Sequence, residues 1–163
     1  LGIMMNTFRR DNVSIVPLLS WYDFSFGQPS KALLTTWRDF QVCNWSPFMS
    51  PVEVTNFFLD QNSPRLNEGG DFIISVSHFL PRIDLMPEFI PKVHRDIYPV
   101  LGSSRLDAQI RTLGSNIHVY GHSHVNRDTK IEGIRYINNA FGYPSEKNIT
   151  RKELLQVYPV LNS

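Results

Sequence analysis

The chain has 163 residues with a formal net charge of +1, and 42% of its residues are hydrophobic and 19% charged. This length suffices for one domain with a hydrophobic core, and the composition excludes an intrinsically disordered chain. No apolar run reaches the roughly 18 residues of a membrane helix, and no basic stripe predicts nucleic-acid binding. The single cysteine, Cys43, excludes an internal disulfide and favours a reducing compartment, so we expect a cytoplasmic protein.

Apolar residues occur both in short continuous runs and at helical spacing. Continuous runs bounded by turn residues are typical of buried strands, and a period near 3.6 residues is typical of helices. In chain order we predict a strand over 13–22, a short helix over 30–39, a helix over 51–61, a strand over 71–77, a helix over 104–113, a strand over 117–120, a hairpin over 129–131 and 134–137, and a last strand over 155–160.

Capping signals support the two longer helices. Ser50-Pro51 provides an N-cap followed by proline at the first helical position, and Glu53 lies in the first turn. The stretch from Ser104 to Asp107 is similar to a capping box and predicts the start of the second helix. Gly114 predicts its end.

Strands and helices that alternate along a chain are typical of α/β proteins. We therefore predict a single α/β domain over 1–163 with a layered β-sheet core flanked by helices. The strand-rich tail would pair antiparallel at a sheet edge or form part of a second sheet. Because the chain starts at Leu1 and not at a methionine, we expect it to be a piece of a longer protein. An exposed sheet edge would then favour a homo-oligomer.

Three histidines lie where predicted strands end. His78 follows the strand over 71–77, and His122 and His124 follow the strand over 117–120. Ligands of open α/β sheets bind beyond the carboxyl ends of the strands, so we expect these side chains in one site. Imidazole is the commonest protein ligand of metals, and without thiolates it suits Zn, Mn or Fe. Three imidazoles could hold one catalytic zinc, or they could be the nitrogen ligands of a two-metal site.

The motif Gly121-His-Ser-His124 after a strand, with the lone strand-end His78 upstream, resembles the last two motifs of the calcineurin-like metallophosphoesterases. The stretch from Tyr136 to Gly142 is similar to the strand and turn that follow in that family. The resemblance runs from about Val13 to Tyr143 and covers the family's C-terminal half. The family's earlier motifs, Asp-x-His, Gly-Asp-x-x-Asp and Gly-Asn-His, have no counterpart in this sequence.

The resemblance implies that the chain forms the C-terminal part of a four-layer α/β/β/α fold that binds two divalent metal ions (Mn, Fe or Zn). It implies that His78 and His122 ligate one ion and His124 the other. It also implies a phosphatase or phosphoesterase that hydrolyses phosphate esters by a two-metal mechanism. Because the earlier motifs are absent, the catalytic residues stay unassigned. A non-catalytic fold remnant that binds a partner or a single metal is the alternative, and a one-zinc hydrolase is a third interpretation.

Four further polar residues have assignable roles. Arg127, directly after the histidine motif, and Arg82, in the long loop after His78, are candidates for contact with a substrate phosphate. His118 lies inside a predicted strand, where we expect a packing role. His94 lies in a charged loop, where we expect it to be solvated. We expect neither nucleic acid nor a membrane as a partner.

Overall fold

The computed structural model describes residues 5–45, 49–146 and 148–158. Among these residues, six strands form one mixed sheet, and helices pack against one of its faces. The elements in chain order are β1 (Phe8–Arg10), β2 (Val13–Pro17), α1 (Lys31–Thr36), α2 (Asp39–Val42), α3 (Pro51–Asn62), β3 (Phe72–Val76), α4 (Ser104–Leu113), β4 (Ile117–Tyr120), β5 (Arg127–Ile131) and β6 (Ile134–Asn138), with short 3-10 helices at Ser63–Asn67, Ile83–Leu85 and Lys92–Val100.

The centre of the sheet is parallel. The strand order is β1-β2-β3-β4-β6-β5, in which β2, β3, β4 and β6 run parallel to one another. β1 and β5 pair antiparallel at the two edges. The predicted α/β class and the antiparallel pairing of the tail are therefore confirmed. The parallel order brings the carboxyl ends of the central strands to one edge of the sheet.

Side-chain caps explain where the two long helices begin. Ser50 Oγ accepts from the backbone N–H of Glu53, whose carboxylate accepts from the N–H of Ser50 at 2.6 Å, so the capping box of α3 is complete. In α4 the N-cap is Ser103, one residue before the Ser104 predicted from the sequence. Gly114 ends α4 in the left-handed conformation at φ 76°, as predicted.

The main core lies between the sheet and the two long helices. Alternate residues of each central strand point to the helical side, so strand and helix side chains interlock there. The strands and helices contribute Val16, Ile73, Tyr120, Tyr136, Leu59, Leu106, Ile110 and Leu113 to this core.

The other face of the sheet is apolar as well. It carries Ile74, Ile117 and Ile137 at its buried centre. Part of it is covered by the chain's own end, where the ring centroid of Tyr158 lies 4.8 Å from that of Phe72. Parallel sheets are usually covered on both faces, which explains why the strand over 71–77 reads as a continuous apolar run.

Two predicted elements in the first half of the chain differ from the structure. The strand predicted over 13–22 ends at Pro17, since proline has no N–H for the sheet and the chain then turns into an aromatic loop. The helix predicted over 30–39 is shorter in the structure, where α1 ends at Thr36 and a separate short helix, α2, begins at Asp39.

The tail also differs from the prediction. Residues 155–158 do not form a strand, and 159–160 lie outside the described residues. The helix over 51–61, the strands over 71–77 and 117–120 and the hairpin agree with the structure to within two residues at each end. No helix in the described part of the chain combines the length and hydropathy needed to cross a membrane. Homo-oligomer formation stays a prediction.

Candidate active site

His78 and His122 meet beyond the carboxyl ends of β3 and β4. His78 lies two residues after β3, and His122 lies two residues after β4. Their ring nitrogens, Nε2 of His78 and Nδ1 of His122, are 3.1 Å apart. The parallel pairing of β3 with β4 therefore brings together side chains that are 44 residues apart in sequence.

A tight turn aims the second histidine at the first. Ser123 N–H donates to the carbonyl of Gly121 at 2.8 Å, which places His122 at the centre of a three-residue turn. His122 and His124 both have positive φ, 64° and 56°. Non-glycine residues adopt this region rarely, and backbone strain of this kind concentrates at functional sites. Gly121 N–H also donates to the carbonyl of His78 at 3.0 Å, so the turn is fixed to the end of β3.

Asn138 holds the same turn from the neighbouring strand. It is the last residue of β6 and is almost fully buried. Its amide nitrogen donates to the carbonyl of Gly121 at 3.1 Å and to the hydroxyl of Ser123 at 3.0 Å. Two residues of the histidine motif thus depend on one buried amide for their position.

His124 points to a carboxylate. Its Nδ1 lies 2.9 and 3.2 Å from the two carboxylate oxygens of Glu146. The ring of Tyr143 packs edge-on against His124, with 5.1 Å between centroids. Glu146 and Tyr143 lie beyond β6 in the segment that leads to the chain's end, far from the histidine motif in sequence.

Beneath the site, His118 belongs to a buried chain of hydrogen bonds. Ser115 Oγ donates to Ser75 Oγ at 2.8 Å, and Ser75 Oγ lies 2.8 Å from His118 Nδ1. His118 Nε2 lies 3.0 Å from Ser77 Oγ, which donates to the carbonyl of Phe79 at 2.9 Å. Since Ser77 uses its hydrogen on Phe79, His118 must donate from Nε2 and accept at Nδ1. The predicted packing role of His118 is confirmed.

Aromatic rings flank His122, whereas His78 is exposed. The Phe79 ring lies 4.4 Å from that of His122 between centroids, and Trp37 lies 6.0 Å away on another side. Phe79 in turn contacts Trp21 at 5.0 Å and the fully buried Tyr22 at 5.7 Å. These rings keep water from part of the site, which weakens its ability to stabilise a charged imidazole.

The electrostatics of the pair favour neutral imidazoles. Burial lowers the pKa of His122 to about 4, with His78 adding to the shift and the carbonyl of Val100 opposing it. The pKa of His78 is also lowered, first by desolvation of its ring, while the negative charge of Asp39 opposes the shift and His124 adds to it. Neutral imidazoles keep a lone pair that can accept a proton or bind a cation.

The predicted phosphate-contact residues lie in different surroundings. Arg82 donates to Asp84 and Glu132 at 2.8 and 3.2 Å and forms an ion pair with Asp107 at 3.4 Å. Its guanidinium is therefore satisfied by carboxylates. Arg127 begins β5, and its buried Nε has no hydrogen-bond partner among the described residues. The contact of either arginine with substrate stays a prediction.

The remaining histidine, His94, lies on the exposed side of the 3-10 helix over Lys92–Val100, as predicted. Sequence reasoning missed Glu146, Asn138 and Trp37. No local signal marks Glu146 or Trp37, because their role depends only on tertiary contact. Asn138 was recognisable as a polar residue at the end of an apolar strand.

Comparison with known proteins supports the fold. No protein-family model and no curated protein matches the chain. A crystal structure of phosphopantetheinyl hydrolase (PptH) from Mycobacterium tuberculosis superposes with a TM-score of 0.64 and 19% sequence identity. The match covers 87% of this chain and 55% of that chain, so this chain spans little more than half the length of PptH. The TM-score shows that the two proteins share a fold, and at 19% identity the comparison shows the fold alone.

These comparisons correct the family assignment drawn from Gly121-His-Ser-His124. No family model matches the chain, and the PptH structure that superposes on it carries the description of a phosphopantetheinyl hydrolase. The two-metal phosphoesterase function inferred from that assignment is withdrawn with it. A four-residue motif and one upstream histidine were too little sequence to assign the chain to a family.

The predicted binuclear metal site is corrected as well. In the part of the chain that the structure describes, no three His, Cys, Asp or Glu side chains are grouped so as to hold a metal ion. The physical reason is that Glu146 engages Nδ1 of His124, while His78 and His122 face each other. The three histidines therefore divide into a pair and a separate histidine–carboxylate contact.

Proposed function

We propose that this chain carries the active site of a hydrolase whose substrate contains a phosphopantetheinyl group. The observation that supports the proposal most directly is the His78–His122 pair, 3.1 Å apart at the carboxyl edge of a parallel sheet. The resemblance of the fold to PptH supports the substrate class. Because that resemblance covers 55% of the PptH chain, activity of this chain alone is part of the proposal.

The chemistry of the pair suits proton transfer. One hydrogen lies between Nε2 of His78 and Nδ1 of His122, because two unprotonated nitrogens at 3.1 Å would repel each other. Desolvation lowers the pKa of both imidazoles, which leaves the pair neutral with a lone pair for a proton from water and makes the imidazolium that forms short-lived. A general base of this kind typically contributes about 10²- to 10⁴-fold to the rate.

A phosphopantetheinyl group has two ends, an anionic phosphate and a long flexible arm. An open groove of about 410 Å³ lies beside His78, and its lining includes Leu18, Leu19 and Phe58. Such a lining suits the arm, and the polar edge with the histidines suits the phosphate end.

The pair also fits one divalent cation. His78 Nε2 and His122 Nδ1, which are 3.1 Å apart, would be the nitrogens that hold such an ion once the hydrogen between them is lost. When bound, such an ion would supply positive charge against the substrate phosphate. We therefore propose a divalent metal cofactor at this pair, with Mn, Fe or Zn as the candidate ions.

The test is release of phosphopantetheine from a phosphopantetheinylated serine peptide, followed by mass spectrometry, with and without added Mn²⁺ or Zn²⁺. His78→Gln and His122→Gln should each reduce the rate at least about 100-fold, the lower end expected for a positioned base. His94→Gln is the matched control, since His94 is an exposed histidine outside the strand-end motifs. No release by the unmodified chain, or equal rates in all three variants, would refute the proposal.

A non-catalytic module that binds a single metal is the second candidate, and the same 3.1 Å geometry favours it. Elemental mass spectrometry of the purified chain separates the two. One metal per chain without any turnover supports the binding module. Turnover that His122→Gln abolishes excludes it.

A further inference from the structure

The contact between His124 and Glu146 has the geometry of a carboxylate that orients a functional histidine. Both carboxylate oxygens lie within 3.2 Å of the same ring nitrogen, Nδ1. Both residues are partly buried, with 31% and 25% of their side chains exposed. A long side chain held in a two-oxygen contact loses conformational freedom, so the contact needs support from the surrounding chain.

This contact determines the tautomer of His124. An ionised carboxylate only accepts hydrogen bonds, so Nδ1 must carry the hydrogen. The pKa of Glu146 is lowered, mainly by the backbone N–H of Tyr143 and further by His124, which keeps the carboxylate ionised. A neutral His124 then has its lone pair on Nε2, the nitrogen left for a substrate or a metal.

The segment around Glu146 is built to present its carboxylate. Tyr143 N–H donates to Glu146 Oε2 at 2.5 Å, and Thr150 Oγ1 donates to the Glu146 carbonyl at 2.5 Å. Gly142 has φ +59°, and a Cβ at this position would collide with Glu146 Oε2 and Thr150. Lys152 Nζ donates to the carbonyl of Tyr143 at 2.7 Å. The turn that carries Glu146 is thus held by side chains and needs a glycine.

We propose that Glu146 is a positioning residue that fixes His124 in the Nδ1-protonated tautomer and so keeps the lone pair of His124 on Nε2. The effect of Glu146 on turnover rests on the proposed function, whereas the tautomer of His124 is a property of the folded chain. Ligand histidines commonly donate their second nitrogen to a carboxylate, and loss of such a partner typically reduces affinity or activity about 10- to 100-fold.

The direct test is NMR of the chain labelled with 15N-histidine, in which protonated and unprotonated ring nitrogens have distinct shifts. In the unmodified chain His124 should show a protonated Nδ1 and an unprotonated Nε2. Glu146→Ala should move the hydrogen to Nε2 in a large fraction of molecules. Glu146→Gln should restore much of the Nδ1-protonated form, since the amide oxygen can still accept. Glu153→Gln is the control, because Glu153 is exposed and no hydrogen bond of its carboxylate occurs among the described residues.

Gly142→Ala tests the same contact while both His124 and Glu146 keep their own side chains. It should displace the Glu146 carboxylate and give the tautomer mixture of Glu146→Ala, while His78 and His122 keep their signals. An unchanged His124 tautomer in a folded Glu146→Ala protein would overturn the inference. So would an Nε2-protonated His124 in the unmodified chain.

The turnover assay separates this inference from the proposed function. Glu146→Ala should lower the rate of phosphopantetheine release by about 10- to 100-fold and leave KM nearly unchanged. If the unmodified chain has no activity but the tautomer responds to Glu146→Ala, the proposed function fails and the positioning role stands. If the chain is active and neither tautomer nor rate responds, the positioning role fails and the function stands.

Discussion

His122 Nδ1 and His78 Nε2 lie 3.1 Å apart, although neither histidine belongs to a strand. Each lies on a short exit loop whose position is set by a parallel strand. The carbonyl of His78 accepts from Gly121 N–H at 3.0 Å, so a backbone hydrogen bond runs beside the side-chain contact. The strand pairing and this backbone hydrogen bond therefore hold the two histidines side by side.

His118 should make the stability of the protein depend on acidic pH. Burial lowers its pKa to about 3 in the folded chain, against about 6.5 when unfolded. The contribution of His118 to the free energy of unfolding is fully present above about pH 6.5. It is lost as the pH falls from there towards 3, because in this range only the unfolded chain binds the proton. The free energy of unfolding should fall by up to about 1.4 kcal/mol per pH unit from this residue.

Urea unfolding between pH 8 and pH 4.5 measures this dependence. His118→Leu should reduce its slope and destabilise the chain at pH 8, since Ser75 and Ser77 lose their buried partner. His94→Gln, on the exposed helix, should keep the slope of the unmodified chain. An equal slope in His118→Leu would show that His118 is not held neutral by burial.

Asn138 should matter to the site more than its neighbour Asn139. Asn138→Ala removes the donor to the Gly121 carbonyl and the Ser123 hydroxyl and the acceptor for the Ala140 N–H, and should cost about 1–3 kcal/mol of unfolding free energy. A shift of the turn by about 1 Å can lower turnover about 100-fold. Asn139 donates to the carbonyl of Glu153 at an exposed position, so Asn139→Ala is the matched control. Similar losses of turnover in both variants would contradict the role of Asn138.

Gly102 should be less replaceable than Gly114, although only Gly114 has a positive φ. A Cβ at Gly102 would overlap the backbone of Leu80, with which Gly102 forms a parallel bridge close to His78. At Gly114 nothing lies within 4 Å, so alanine meets only the left-handed backbone penalty of about 1–2 kcal/mol. Thermal unfolding of Gly102→Ala should therefore occur at a lower temperature than that of Gly114→Ala. The reverse order would contradict the close approach at Leu80.

The two arginines should differ in their effect on substrate. Arg82→Ala breaks ion pairs with Asp84, Asp107 and Glu132 and should lower the unfolding free energy by about 1–3 kcal/mol, with KM unchanged. Arg127→Ala should instead raise KM for the phosphopantetheinylated peptide. The measurement is urea unfolding together with steady-state kinetics. A raised KM in Arg82→Ala alone would show that the ion pairs open to bind substrate.

Much of the fold followed from local patterns. The apolar run before His78, the capping residues of α3 and the hairpin around Glu132-Gly133 each predicted an element that the structure contains. The last strand did not follow in the same way. Residues 155–158 pair with no strand, and Val157 and Tyr158 instead pack against the second face of the sheet.

The sequence by itself determined the α/β order and the three histidines at strand ends, because strand endings and apolar periodicity are local properties. Only the tertiary structure decided that His78 and His122 form a pair while His124 faces Glu146. That division depends on strand register, on positive φ at two histidines and on a glycine turn after β6. A motif specifies which side chains are available, whereas the directions of their lone pairs come from backbone geometry that only the folded sheet imposes.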